Sequence, residues 1–280
     1  MNNMSVLSGQ KIVVTGGLRG IVKSIIDEIA KEGDVKIAIL AKEKNENTDD
    51  VLSEYRSKYN TDARFIATDI RSSASIKESI EKVAQKFGGI DIVINAATVA
   101  IIKPMKELTD DILDISYNVN ARSSFLVSQY AYEYLAQSGK GQVLNIAPPI
   151  NLDPKPLSIK TAYASSQYMK SMITVAQAEN EQWREKNILV NALWPLYPFT
   201  DGENMHLYQQ HTEKSGDKKE IKTFGEAALS ILKSADKGWN GEFFYDVEVL
   251  DMNSIESPNE TVYNYNRSFN QQEDKEYHYD

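Results

Sequence analysis

The sequence predicts an α/β fold: a doubly wound parallel sheet of about seven strands with helices on both faces. Three observations predict it. Short apolar, β-branched runs recur along the 280 residues without polar alternation, as strands buried on both faces require. Stretches of helical periodicity, not tight turns, separate them. The first run ends in a glycine-rich turn that leads straight into a helix. Residues 1–251 read as one such domain without an internal repeat, and residues 252–280 as a polar, acidic tail.

The elements follow in order. Lys11–Thr15 (KIVVT) is the first strand, ending at Gly16-Gly17, and Arg19–Lys31 sets Ile21, Val22, Ile25, Ile26 and Ile29 at helical intervals. Val35–Ala41 is the second strand, Asp49–Tyr59 a helix, and Arg64–Ile70 the third strand. Ser73–Phe87 is a cleaner helix, with Ser73 as its cap and Ile76, Ile80 and Val83 on one face. Ile90–Ala96 is the fourth strand, and helices at Thr109–Asn118 and Ala121–Gln137 precede the fifth at Gln142–Ile146. Pro148, Pro149, Pro154 and Pro156 then forbid a continuous helix or central strand. Helical spacing returns at Thr161 and carries Tyr163. Ile188–Trp194 is the sixth strand, Phe224–Lys233 a helix, and Gly241–Leu250 the seventh strand.

Composition narrows the function classes. Apolar residues make up 41% and charged residues 25%, enough for a substantial core in a soluble protein. No run approaches the roughly 20 apolar residues of a membrane span. The start, MNNMSVLSGQK, has neither a basic segment nor an apolar one, so a cytoplasmic location is expected. Zero cysteines exclude disulfides and thiolate chemistry. His206, His211 and His278 are too scattered for a zinc site, and no metal is expected. The net charge of −9 disfavours nucleic acid. Six acids against two bases fall within residues 252–280, so the rest is only mildly acidic and its charge does not exclude a small anionic ligand. Tyr263, Tyr265, Phe269, Tyr277 and Tyr279 in that tail point to docking on the domain or on a neighbouring subunit.

Chemistry concentrates at two places. Thr15-Gly16-Gly17-Leu18-Arg19-Gly20-Ile21 lies between a strand and a helix, where backbone N–H groups and a helix N-terminus meet a pyrophosphate. Val143–Lys170 is a strand, a proline-broken loop and a helix that delivers Tyr163 to the carboxyl edge of the sheet. With Asn95-Ala96-Ala97 after the fourth strand, this pattern resembles the short-chain dehydrogenase/reductase family, from Leu7 to about Leu250. The resemblance implies a Rossmann-like fold and a nicotinamide cofactor. The family motif TGxxxGxG is met at Thr15, Gly16 and Gly20, with Val22 in place of the last glycine, so weakened binding is expected, while the backbone donors near Ile21 remain. Asp69 matches the family aspartate at the adenine, with Ile70 beside it, and Asn95 fits the NNAG stretch, here NAAT. Ala41 stands where NAD-dependent members carry an acid. Lys42 and Arg19 resemble the cations that meet the 2′-phosphate of NADP(H), although Lys42 also reads as an ordinary surface lysine. Pro195 and Thr200 match the ends of the PGxxxT segment near the nicotinamide.

The family's catalytic set is Asn, Ser, Tyr and Lys. Asn120, in NVNAR, matches the Asn, and Tyr163 matches the Tyr, the general acid or base. The serine maps to Pro148 and the lysine to Gln167. That lysine would hold the nicotinamide ribose and lower the phenol pKa. Lys170, seven residues past Tyr163, could replace it only by reaching back a turn. NVNAR, VLNIAPPINL and VNALWP resemble the hydroxysteroid-dehydrogenase-like branch, whose Ser-Pro-Pro segment here begins at Ala147. Residues 252–280 offer no counterpart of that branch's additional sterol-carrier-like domain. Three readings follow: a non-catalytic or nearly inactive member kept for binding or assembly, a working NADP(H)-dependent carbonyl reductase using Tyr163, and a small-molecule binding module. The resemblance also implies a homodimer or homotetramer. It would pair through Phe125, Tyr130 and Tyr134 on one helix and Met169, Met172 and Ile173 on the next, and core packing is the other use of these side chains. Leu196–Thr223, with Met205, His206, Leu207 and Tyr208, reads as the lid over a small carbonyl or alcohol substrate.

Overall fold

The computed structural model describes residues 5–152, 154–196 and 220–251. Seven parallel strands form one sheet in the order β3-β2-β1-β4-β5-β6-β7. They are β1 Lys11–Thr15, β2 Lys36–Ala41, β3 Asp62–Ala67, β4 Ile92–Asn95, β5 Gln142–Ile146, β6 Leu189–Trp194 and β7 Phe243–Tyr245. The chain runs outward from β1 through β2 to β3, then returns to β4 and runs out the other way. Loops leaving β1 and β4 therefore diverge and open a crevice at the carboxyl edge.

Alternation along each strand feeds two cores. Ile12, Val14, Ile37, Ile39, Ile92 and Ile94 face one side. There they pack on α1 (Gly20–Lys31), α2 (Thr48–Tyr59) and α9 (Ile221–Lys233). Val13, Ala38, Leu40, Val93 and Val143 face the other. There they meet α3 (Ser73–Phe87), α5 (Ser123–Ser138) and α7 (Thr161–Glu179). Among the described residues the remaining α-helices are α4 (Asp110–Tyr117), α6 (Pro154–Ile159), α8 (Glu181–Glu185) and α10 (Asp246–Asp251). Among the described residues no helix is long and apolar enough to cross a membrane.

Four expectations need correction. The seventh strand ends at Tyr245, and Asp246–Asp251 turns into α10. Buried Asp246 accepts the Leu196 N–H at 3.0 Å, so the chain folds back where alternation alone read as strand. β3 begins two residues earlier than expected and ends at Ala67. Ser72, not Ser73, caps α3 by accepting the Ser75 N–H at 3.3 Å. Pro154 opens a short helix within the proline-rich loop, since the first turn needs no N–H from it.

Helices α1 and α9 pack unusually closely at one point. A β-carbon on Gly225 would come within 2.3 Å of the Ser24 carbonyl oxygen, while the Ser24 hydroxyl donates to Ile221 O at 2.7 Å and accepts from Gly225 N at 3.2 Å. Gly225→Ala is expected to lose about 3 kcal/mol by forcing the helices apart. Urea unfolding with an unchanged slope would check it.

Candidate active site

At the β1 exit, Gly16 has φ +111° and donates its N–H to Leu40 O at 2.9 Å, and Gly20 has φ +51°. Both torsions favour glycine. β-Carbons on Gly17 or Gly20 would meet nothing within 4 Å, so the turn is open above. Arg19, the exposed N-cap of α1, makes no side-chain cap, so the first amides of that helix lack one. Val22 is different. Its Cγ2 lies 3.0 Å from where a Gly16 β-carbon would sit, filling the space at Gly16 alone. Half-buried Ile21 begins the helix beside it. The Thr15 hydroxyl accepts N–H groups from Ala96 (3.1 Å) and Ala97 (3.2 Å), stapling the exits of β1 and β4.

Asp69 lies past β3 with half-buried Ile70 next to it. Arg71 grips the Asp69 carboxylate through two side-chain contacts, at 2.9 and 2.6 Å, and its backbone N–H adds a third at 3.0 Å. That hydrogen-bonded guanidinium holds Asp69 at about 2, and exposed Lys42 adds to the lowering. A depressed carboxylate contributes stability above the ordinary pKa of about 4 and loses it as pH falls toward 2. Asp69 therefore stays charged across the working range.

Beneath the crevice runs a buried polar chain. Asn95 Nδ2 donates to Asn145 Oδ1 (2.8 Å) and Ser128 Oγ (2.9 Å), and Asn145 Nδ2 donates to Thr174 Oγ1 (2.9 Å). It ties β4 and β5 to α5 and α7. The Asn95 Nδ2 is therefore spent on neighbours beneath the crevice, while its Oδ1 is buried without a partner.

Between α4 and α5 the chain makes one π-helical turn, Asn118–Arg122, the NVNAR segment. Such bulges mark functional sites. The turn presents Asn120, fully buried. Its Oδ1 accepts from Val99 N (2.7 Å) and Thr98 Oγ1 (3.1 Å), and its Nδ2 donates to Val99 O (2.9 Å) and Ser166 Oγ (2.9 Å). Asn120→Ala would remove four hydrogen bonds, to half-buried Val99 (two), exposed Thr98 and buried Ser166, and is expected to lose about 2 kcal/mol, read by chemical denaturation.

Tyr163, 9% exposed, lies one turn before Gln167 on α7. Gln167 is 1% exposed and donates its amide to Thr98 Oγ1 at 2.5 Å, while its Oε1 is buried without a partner. Thr98 thus joins Gln167 to Asn120, and Ser166 links Asn120 back to the Tyr163 carbonyl at 2.9 Å. Pro148 contributes its carbonyl to Ser171 Oγ (2.6 Å) and has no side-chain donor. One turn past Gln167 comes Lys170, 0% exposed, with Nζ 3.4 Å from both Ala97 O and Ile146 O. Burial pushes its pKa down to about 7. Half-buried Pro195 follows β6.

Thr98 and Ser166 were not legible as site residues. Thr98 read only as a missing glycine, and nothing in the sequence couples it to Gln167. Lys170 was visible as a lysine two turns from Tyr163, but its reach was not. Thr200, Met205, His206, Leu207, Tyr208, His211 and the whole tail from Met252 lie outside the described residues. Among those described, no cluster of histidine and acid could hold a metal ion.

Comparison with known proteins agrees with this geometry. The sequence model of the short chain dehydrogenase family matches residues 10–208. Hydroxysteroid dehydrogenase-like protein 2 of Mus musculus is 31% identical over 91% of the chain and 52% of its own length. The Homo sapiens protein of that name is 31% identical over 91% of the chain and 60% of its own length. The chain thus spans between half and two thirds of these relatives. Among solved structures, a short chain dehydrogenase from Mycobacterium thermoresistibile superposes with TM-score 0.76 at 24% identity, covering 89% of each chain. One from Burkholderia cenocepacia, in complex with NADP, gives 0.75 at 22% identity, covering 86% of this chain and 97% of its own. These structural likenesses establish the fold alone. Motifs, sheet order and family match together make the chain a member of the short-chain dehydrogenase/reductase family, close to its hydroxysteroid-dehydrogenase-like branch.

Proposed function

We propose that the chain binds a nicotinamide dinucleotide, NADP(H) in preference to NAD(H), along the crevice between β1 and β4, and that oxidoreductase chemistry at Tyr163 is severely impaired. The open Gly17–Gly20 turn and the α1 N-terminus without a side-chain cap fit a pyrophosphate. Arg19 and Lys42 on the same edge suit a 2′-phosphate, and Ala41 offers no carboxylate to ribose hydroxyls. Val22 over Gly16 narrows that approach and weakens binding. A bound cofactor would supply hydride. The chain's part is to orient a carbonyl and give its oxygen a proton from the Tyr163 hydroxyl.

One observation carries the impairment: the group one turn after Tyr163 is a neutral amide tied to Thr98, where a cation is needed to ease proton release from a phenol. Pro148 supplies no second donor to a carbonyl oxygen. A well-placed general acid contributes roughly 10²–10⁴-fold, and most of that is expected to be lost. Fluorescence titration with NADPH and NADH, with a ketone assay alongside, tests this. Saturable binding favouring NADPH is expected, with background turnover unchanged in Tyr163→Phe. Turnover abolished by that substitution would favour the second reading, a working NADP(H)-dependent carbonyl reductase, which Tyr163 and buried Asn120 support.

The exposed side chains Phe125, Met169 and Met172 on α5 and α7 support pairing of two copies into a homodimer or homotetramer. Light scattering is expected to give at least twice the chain mass of 31.5 kDa, and a monomer would contradict it.

A further inference from the structure

Lys170 is the unusual group of this fold. It stands on the buried stripe Tyr163–Gln167–Lys170 of α7, at i, i+4 and i+7, where an apolar residue would be the default. Side chains on a helix lean toward its N-terminus, so Lys170 leans back under Gln167 and Tyr163. Its ammonium reaches the carboxyl edge of the sheet between neighbouring strands β4 and β5.

The ammonium is poorly satisfied there. Both acceptors, Ala97 O and Ile146 O, lie at 3.4 Å, beyond the usual N–H···O range. Its third N–H has no acceptor among the described residues. The two carbonyls come from the β4 and β5 exits, and the buried polar side chains of β4, β5 and the π-helical turn are the neutral amides Asn95, Asn145 and Asn120. On α7 its ionisable neighbours are Tyr163, two turns back, and Lys160, which precedes the helix. No carboxylate acts on it, burial being the one influence on its titration. One turn away on the same face, the buried Oε1 of Gln167 also lacks a partner. A poorly satisfied cation and an orphaned acceptor thus share one buried helix face, at i and i+3.

We propose that Lys170 is the site's displaced cation, a positioning residue that supplies from beneath the crevice the positive charge Gln167 lacks, and that acts on an electronegative nicotinamide nucleotide bound above it. This rests on the cofactor-binding reading. Lys170 remains covered and acts through its field. An anionic ligand favours the charged form of Lys170, so binding takes up a proton. By linkage, a one-unit rise in the Lys170 pKa on binding makes affinity about tenfold tighter well below pH 7 than well above pH 8.

The test is calorimetric titration of the full chain with NADPH in two buffers of different ionisation enthalpy, for wild type, Lys170→Met and Lys170→Gln. Phosphate titration is common to all three and cancels in the difference. Uptake of about half a proton at pH 7.5 by wild type, lost in both variants, is the expected result. Binding with equal uptake in all three would overturn the role of Lys170 and leave the cofactor reading standing. No binding by wild type at millimolar NADPH would overturn both. Because Met removes a buried charge without shortening the side chain much, the variant is expected to fold.

Discussion

Lys170→Met is expected to stabilise the protein at pH 6 by on the order of 4 kcal/mol while weakening NADPH binding. Burial holds the Lys170 pKa near 7, against about 10.4 in the unfolded chain. Between those values the unfolded state binds the extra proton, so wild-type stability rises with pH through this window and is lowest below it. The Met variant lacks that dependence. Its advantage should be full below about pH 7 and fade toward pH 10, measured by urea unfolding at a series of pH values. A pH-independent difference would mean that Lys170 is not a buried titrating cation. Stabilisation with loss of affinity is what a functional buried charge gives, whereas a merely structural lysine would show the first without the second.

Returning the charge to its family position should have the larger effect on chemistry. Gln167→Lys alone places two ammonium groups about one helical turn apart, some 6 Å, where repulsion at an effective dielectric of about 20 is roughly 3 kcal/mol. One of the two then loses its proton, and the single variant gains little. Gln167→Lys combined with Lys170→Met leaves one cation, one turn from Tyr163. That double variant is expected to raise ketone turnover by about 10²-fold over wild type, with a clear non-additivity in the cycle. Equal turnover in the single and double variants would show that the two positions do not share one charge.

The sheet was legible because its strands carry no alternation. VVT, IAIL and IVIN are largely apolar on both faces, and helical stretches between such runs point to a parallel sheet covered on both sides. The edge at β7 was not legible. GEFFYDVEVL alternates well enough for a strand, yet the Asp246 carboxylate captures the Leu196 N–H and the chain turns helical. Gly16, Gly20, Asn120 and Tyr163 could be proposed from sequence because the family motifs they match fix their positions. The Thr98–Gln167 bond was not, since it joins residues 69 positions apart that each read as a separate loss. Together they replace a cation and a glycine by a neutral pair on Asn120. For Lys170 the sequence gives the helix face and the spacing from Tyr163, but not the depth its flexible side chain reaches.

On the proposed function, the nucleotide crevice survives while proton delivery at Tyr163 does not. Fluorescence titration of the full chain with NADPH, followed by a single-turnover ketone assay on the saturated complex, tests both halves at once. Saturable binding with a Kd below about 1 mM, and a reduction rate that Tyr163→Phe leaves unchanged, is the predicted result. Absence of binding, or rapid reduction that disappears in Tyr163→Phe, would contradict it.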